Sequence, residues 1–185
     1  REAVRRTVGG LGRIDVLVNN AGLELITPMS EPGAEVEATF ERIIAINVGG
    51  TYYVTREALP LMGKGGSILI TSSIWGKTGA ADFAAYVTSK HANIGFMRVL
   101  AKELGPRGIR VNAVCPGWVR TRAALRSLTR VSEAAGVTED EMLDDILSAQ
   151  ALPGLMEPDD VAGLYLFLAS DLAASITGQA VNADR

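Results

Sequence analysis

The sequence contains few of the residues that most often build disulfides and metal sites. It has one cysteine, Cys115, and one histidine, His91, among 185 residues. A single cysteine excludes an intramolecular disulfide, which fits a reducing cytoplasm, and we expect Cys115 to be a small buried side chain. A single histidine without clustered cysteines offers no zinc-ligand pattern, so no metal is predicted.

Long hydrophobic runs and a strong net charge are also missing. No run reaches the ~18–20 apolar residues of a membrane span, and no signal-peptide pattern opens the sequence. The net charge of -3 gives no reason to expect nucleic acid or a membrane as a partner. Hydrophobic residues make up 48% of the chain, which is typical of a globular domain with a substantial core. We therefore expect one cytoplasmic domain.

The most informative stretch runs from Asp82 to Glu103, where apolar residues recur at helical spacing. Tyr86 and Lys90 are four residues apart, so both project from one face of the predicted helix. A phenol with a pKa near ~10 is a poor proton shuttle at neutral pH. An ammonium one turn away favours the phenolate, so we expect Lys90 to lower the pKa of Tyr86 for acid–base chemistry.

A predicted buried strand, Ser67 to Thr71, precedes this helix and ends in the hydroxyl residues Ser72 and Ser73. Ser73 lies thirteen residues before Tyr86. A short loop between strand and helix can bring the two hydroxyls together, where Ser73 would hold a carbonyl or alcohol oxygen for proton transfer.

A second predicted strand, Ile14 to Asn19, is almost wholly apolar, as expected for a parallel sheet covered on both faces. Asn19-Asn20-Ala21-Gly22 ends it at the edge where α/β sheets bind ligands. The glycines at positions 9, 10 and 12 precede this strand instead of following one. They therefore predict a helix end and turn, and not a phosphate-binding loop.

Further elements follow from the same patterns. Helices are predicted over Ala34 to Ala45 and Val48 to Met62, and Asn47 between them is explained either by a local kink or by a helix cap. A strand over Ile109 to Val114 leads to the Pro116-Gly117 turn. Two short helices, Ala123 to Ala134 and Glu139 to Gln150, are expected to form a lid over the substrate. A helix from Pro158 and a last strand near the end complete the pattern.

Five of these motifs occur in the order and spacing of the short-chain dehydrogenases/reductases, and the sequence resembles that family over nearly all of its length. The motifs are Asn19-Asn20-Ala21-Gly22, Asn47, Ser73, Tyr86-x-x-x-Lys90 and Pro116 to Thr121. The resemblance implies an α/β fold with a doubly wound, Rossmann-like parallel sheet. It also implies NAD or NADP as cofactor, a small-molecule substrate, and interconversion of a secondary alcohol and a ketone by hydride transfer.

The resemblance also implies roles for individual residues. Tyr86 would be the general acid/base, and Lys90 would lower its pKa and hold the cofactor ribose. Ser73 would fix the substrate oxygen, and Asn47 would support a proton path through a water linked to Lys90. The implied cofactor contacts are Asn20, Ala21, Gly22, Tyr86, Lys90, Pro116, Gly117, Val119 and Thr121. The predicted substrate contacts are Ser73, Trp75, Tyr86 and Trp118.

Two parts of the family pattern are missing from these residues. The first is the N-terminal part of the family pattern, in which a strand and a glycine-rich loop are followed by a strand that selects NAD or NADP. The second is the Asp-Gly-Gly motif that the family carries near its C-terminus, where this sequence has Ala183-Asp184-Arg185. We therefore expect residues 1–185 to form a partial domain that lacks the N-terminal half of the fold and carries residues 122–151 as the lid insertion. The strand around Val16 would then have one unpaired side. We also expect these residues to be cut from a longer chain, and an intact mass near 19.5 kDa would contradict that expectation. If the chain is this short, no tight dinucleotide binding is predicted.

Two other functions remain open from the sequence. A sugar-nucleotide epimerase can share Tyr-x-x-x-Lys, and a non-catalytic dinucleotide-binding protein could lack the front half of the fold. The apolar faces of the helices Val48 to Met62 and Phe83 to Leu104 are expected to pair with a second copy, giving a homodimer or homotetramer.

Overall fold

The computed structural model of the protein describes residues 2–31 and 33–185, which form four strands and seven α-helices within that part of the chain. The strands are β1 (Ile14–Asn19), β2 (Met62–Thr71), β3 (Arg110–Pro116) and β4 (Ala180–Ala183). The helices are α1 (Glu2–Leu11), α2 (Ala34–Ile44), α3 (Thr51–Ala58), α4 (Ala84–Leu104), α5 (Arg122–Ala135), α6 (Glu139–Ser148) and α7 (Pro158–Ala169).

The four strands form one parallel sheet in the order β1-β2-β3-β4. Alternate residues of β2 point to opposite faces. Ile68 and Ile70 pack in the core beneath α4 with Met97, whereas Leu69 packs with Val161 of α7. Helices therefore cover both faces, as predicted for a doubly wound, Rossmann-like sheet.

Within residues 2–31 and 33–185, strand β1 lies at one edge of the sheet and pairs only with β2. Its side chains Val16 and Val18 are 41% and 44% exposed, although they belong to the almost wholly apolar run that predicted a buried strand. The expected unpaired side of this strand is confirmed. The α7 face of the sheet is consequently less covered than the α4 face.

The predicted helix from Val48 to Met62 is wrong at both ends. Residues Ala45–Gly50 form a π-helical turn, α3 spans Thr51–Ala58, and Leu59–Leu61 form a short 3₁₀ turn. Met62 already belongs to β2, where it pairs with Ile14. The register between β1 and β2 shifts between Ile14 and Val16, so β2 accommodates Gly63, Gly65 and Gly66, which directly follow the predicted helix.

The predicted helix pair after β3 is confirmed as α5 and α6. Gly136, with a φ of 69°, ends α5 in the left-handed conformation that favours glycine. Thr138 and Glu141 exchange hydrogen bonds in a capping box that begins α6. Cys115 is fully buried, as expected. Among the described residues, none of the helices is long and apolar enough to cross a bilayer.

Candidate active site

The candidate site lies at the carboxyl ends of the strands, where the loop after β2 meets the first turn of α4. Ser73 lies two residues after the end of β2, and its hydroxyl accepts a hydrogen bond from Trp75 N at 3.1 Å. The start of α4 is fixed by Thr27, whose hydroxyl accepts from Ala85 N at 3.0 Å and whose own N–H donates to Asp82 O at 2.7 Å. These contacts hold Tyr86, the third residue of α4, at the mouth of the sheet.

The structure brings Ser73, Tyr86 and Lys90 together. The Ser73 hydroxyl is close enough to the Tyr86 phenol to lower the pKa of the phenol. The Lys90 ammonium lies 5.3 Å from the centroid of the Tyr86 ring and donates to Thr71 O at 2.8 Å. Lys90 is only 4% exposed, so its charge acts in a low-dielectric environment where electrostatic interactions are strong.

Burial changes the expected ionisation of this pair. Desolvation raises the pKa of Tyr86 to about 12, and the nearby Ser73 hydroxyl offsets that rise only in part. Desolvation also lowers the pKa of Lys90 to about 8. The expectation of a lowered Tyr86 pKa is therefore corrected: burial of the phenol has the largest effect on this pKa and raises it, and Tyr86 is protonated at neutral pH.

Asn47 lies in the π-helical turn and ties three segments together. Its Oδ1 accepts from Leu23 N at 2.7 Å, and its Nδ2 donates to Leu23 O and to Ser89 Oγ, both at 2.9 Å. Ser89 in turn donates to Tyr86 O at 2.8 Å. The kink explanation is confirmed, and the cap explanation is wrong because the side chain bonds the β1 loop and α4. Thr51 Oγ1 donates to Asn47 O at 2.7 Å, so one lone pair of that carbonyl is already used.

A cavity of about 880 Å³ opens above Ser73 and Tyr86. Trp75 and Trp118 form aromatic walls: their ring centroids are 6.1 Å apart with planes at 86°, and Trp75 meets Tyr86 edge-on at 6.1 Å. Phe83 is buried and supports Trp75 from behind at 4.9 Å. The predicted site residues that line the cavity are Asn20, Ser73, Trp75, Tyr86, Pro116, Gly117, Trp118, Val119 and Thr121.

The remaining predicted site residues lie outside the cavity lining. Asn47 and Lys90 are buried beneath it, and Ala21 and Gly22 are exposed beside it. A Cβ added to Gly22 would lie 3.4 Å from Asn47 Oδ1 and 3.5 Å from Lys90 Nζ. The absence of a side chain at this glycine therefore keeps the space above Asn47 and Lys90 free.

Comparison with known proteins identifies the family. The family model described as enoyl-(acyl carrier protein) reductase matches residues 1–185. A short-chain dehydrogenase/reductase of Armillaria gallica is 38% identical over 186 residues, which cover 99% of this chain and 69% of that protein. The chain belongs to the short-chain dehydrogenase/reductase family. The 3-oxoacyl-(acyl-carrier-protein) reductase of Thermotoga maritima is 36% identical over 189 residues, covering 100% of this chain and 70% of that protein.

Solved structures of the short-chain dehydrogenase/reductase family agree with the fold. A variant of actinorhodin polyketide ketoreductase, solved with NADPH, superposes with a TM-score of 0.87 at 34% identity. The match covers 97% of this chain and 69% of that one. The fold and the oxidoreductase family of the chain are thereby established.

Sequence reasoning missed two polar groups at the site. Tyr165 of α7 hydrogen-bonds Thr71 Oγ1 at 2.6 Å, and Thr71 Oγ1 donates to Asn20 Oδ1 at 2.9 Å, so a short chain of hydroxyls joins α7 to the ends of β1 and β2. Glu24 lines the cavity two residues after Gly22. Its place in the loop after β1 was a usable signal, whereas Tyr165 sits in an apolar helix that carries no motif.

Proposed function

We propose that the protein interconverts a secondary alcohol and a ketone, using NAD or NADP and Tyr86 as the general acid/base. The observation that carries the proposal is that the Ser73 hydroxyl and the Tyr86 phenol share one wall of an aromatic-lined cavity, with the Lys90 ammonium buried next to the Tyr86 ring. The names of two similar proteins, a 3-oxoacyl-(acyl-carrier-protein) reductase and a polyketide ketoreductase solved with NADPH, support the same chemistry.

In the reducing direction, Ser73 and Tyr86 would both hydrogen-bond the ketone oxygen. The nicotinamide supplies the hydride when bound. Tyr86 is protonated at neutral pH because its pKa is raised to about 12, so it can donate its proton to the oxygen as negative charge develops there. Trp75 and Trp118 would place the carbonyl against these hydroxyls and limit the access of water.

The residues around the cavity fit the nicotinamide end of such a cofactor. Lys90 Nζ carries three N–H donors, and only one is needed for the bond to Thr71 O. Gly22 leaves open the space next to this ammonium. Lys90 would therefore hold the ribose hydroxyls, and Val119 and Thr121 would face the carboxamide. Asn20 and Gly117 line the intervening wall.

The test compares Tyr86→Phe with the unmodified protein, following NADH and NADPH absorbance against a panel of cyclic and 3-oxoacyl ketones. We expect turnover to fall by about 10²–10⁴-fold, because the proton donor is lost while the ring remains. Tyr52→Phe, at an exposed tyrosine of α3, is the matched control and should leave turnover unchanged. Equal turnover in Tyr86→Phe and the unmodified protein would reject the role of Tyr86.

We also propose that two or four copies assemble through the outer faces of α3 and α4. Support comes from the exposed apolar residues there, with Tyr53 at 64% and Val99 at 52%. Such apolar patches are uncommon on monomers. Sedimentation velocity at micromolar concentration checks the assembly; a single monomer species would refute it.

We propose a cytoplasmic location as well, and the free, buried Cys115 fits a reducing compartment.

A further inference from the structure

One ionisable side chain of the cavity has no part in the proton transfer described above. Glu24 follows β1, lines the same cavity as Tyr86, and its side chain is 12% exposed. It is close enough to Tyr86 that its negative charge raises the pKa of the phenol. A carboxylate among apolar and aromatic walls is costly unless it has hydrogen-bond donors. Its partners therefore decide what it can do.

The donors that reach Glu24 come from α5, which lies about a hundred residues further along the chain. Ser127 is buried, and its hydroxyl donates a short hydrogen bond to Glu24 Oε1. Arg126 Nη2 donates to the Glu24 backbone O at 2.8 Å. The same nitrogen lies 3.9 Å from Oε2, which is too far for a hydrogen bond.

Glu24 Oε2 thus receives no hydrogen bond from Ser127 or Arg126. Burial raises the pKa of Glu24 even though both of these α5 residues lower it. The protein's own donors therefore compensate the carboxylate only in part. A donor on a molecule bound in the cavity would supply the missing hydrogen bond.

We propose that Glu24 determines substrate specificity by accepting a hydrogen bond from a hydroxyl of the substrate. The favoured ketones and alcohols would accordingly carry a second hydroxyl, remote from the reacting carbon, on a ring that packs against Trp75 and Trp118. A hydroxyl suits the position better than an ammonium because the Arg126 guanidinium is already 3.9 Å from Oε2 and would repel a second cation. This inference rests on the proposed function for the identity of the reacting group.

The test measures binding apart from turnover. Both tryptophans of the sequence, Trp75 and Trp118, line the cavity, so quenching of tryptophan fluorescence reports occupancy directly. The probes are 1-tetralone, a bicyclic ketone, and its 5-, 6- and 7-hydroxy derivatives. We expect at least one hydroxylated isomer to bind the unmodified protein about tenfold more tightly than 1-tetralone, the size of a hydrogen bond to a charged acceptor.

Glu24→Gln keeps the shape of the side chain and an oxygen for the Ser127 hydroxyl. With that bond kept, the amide nitrogen takes the place of Oε2 and presents a donor to the ligand hydroxyl. We expect the preference for the hydroxylated isomer to shrink from about tenfold to about threefold while 1-tetralone binds unchanged. The ligand hydroxyl can still accept from the amide nitrogen, but a hydrogen bond between neutral groups is about half as strong as one to a carboxylate. Glu37→Gln, at an exposed acid of α2, is the matched control and should keep the preference.

Three results would overturn the inference. The first is no preference for any hydroxylated isomer in the unmodified protein, including no binding at all. The second is a preference that Glu24→Gln leaves undiminished. The third is that Glu24→Gln weakens the binding of all four ketones equally, which would mean that Glu24 only supports the position of α5.

The inference and the proposed function fail in different ways. Hydroxyl-dependent binding without turnover would reject the oxidoreductase proposal and leave Glu24 as a ligand-binding residue. Turnover without hydroxyl dependence would reject the role of Glu24 alone. Tyr86→Phe should retain the binding preference while losing turnover, because the carboxylate is untouched.

Discussion

The floor and the roof of the candidate site differ in how they are held. The floor consists of Asn47, Thr71, Ser89 and Lys90, which are joined to neighbouring segments by hydrogen bonds and, except for Thr71, are buried. We call roof the helix α5, from which Ala123, Ala124 and Ser127 line the cavity, together with α6, which packs on α5. Helix α5 buries only Ser127, Leu128 and Ser132, and α6 buries no residue. Burial and hydrogen bonds fix the residues of the floor, whereas the few buried residues of α5 and α6 constrain the roof less.

Among substitutions of the floor residues, Asn47→Ala should lower the stability of the protein most. It removes three hydrogen bonds and leaves the N–H and C=O of Leu23 and the hydroxyl of Ser89 without that partner. We expect the free energy of unfolding to fall by about 3–5 kcal/mol, measured by urea denaturation.

The matched substitution in the roof is Ser132→Ala. Ser132 is equally buried but donates only to Thr129 O, one turn earlier in its own helix. We expect the free energy of unfolding to fall by no more than about 1 kcal/mol. Similar losses for Asn47→Ala and Ser132→Ala would erase the distinction between floor and roof.

The buried ammonium of Lys90 predicts an unusual dependence of stability on pH. Its pKa is about 8 in the folded protein, against 10.5 for an ordinary lysine. Between these values the unfolded chain binds more protons, so stability rises with pH. Relative to Lys90→Met, the free energy of unfolding should rise by about 2–3 kcal/mol between about pH 8 and pH 10.

The control for this measurement is Lys102→Met, at an exposed lysine near the end of α4. Its pH dependence should parallel that of the unmodified protein. If the stability of Lys90→Met rises with pH as much as that of the unmodified protein, the Lys90 ammonium is exposed to water and its burial does not lower its pKa.

The smallest change in stability is expected for a substitution at the start of α6, in the roof. Thr138→Ala removes the hydroxyl that accepts from Glu141 N at 3.2 Å at the start of α6. The loss of a capping residue costs about 1 kcal/mol. Because α6 buries no residue, we expect faster amide exchange confined to residues 139–148, measured by hydrogen–deuterium exchange. Equal acceleration in α4 would show that floor and roof open together.

The sequence predicted the parts of the fold that depend on local pattern. Strand β1 and the proximity of Ser73 to Tyr86 followed from apolar runs and spacing. The start of β2 at Met62 did not, because a glycine run usually marks a turn and its pairing with Ile14 depends on a partner strand.

Long-range contacts and burial limited the prediction of the site. The bond between Glu24 and Ser127 joins residues 103 positions apart, and no periodicity links them. The spacing of Tyr86 and Lys90 showed that they are neighbours, but their pKa values depend on desolvation. Burial of a side chain is set by the whole fold, so the direction of the Tyr86 shift could not be read from two residues.

The central claim is that Tyr86, held in place by the floor residues, donates a proton to the oxygen of a ketone as hydride is transferred to the carbonyl carbon. The most direct measurement follows deuterium from C4 of a labelled nicotinamide into the product alcohol by mass spectrometry. The label should appear on the carbinol carbon with the unmodified protein, and at least about a hundredfold more slowly with Tyr86→Phe. Equal rates for the two proteins, or no label in the alcohol with either, would contradict the claim.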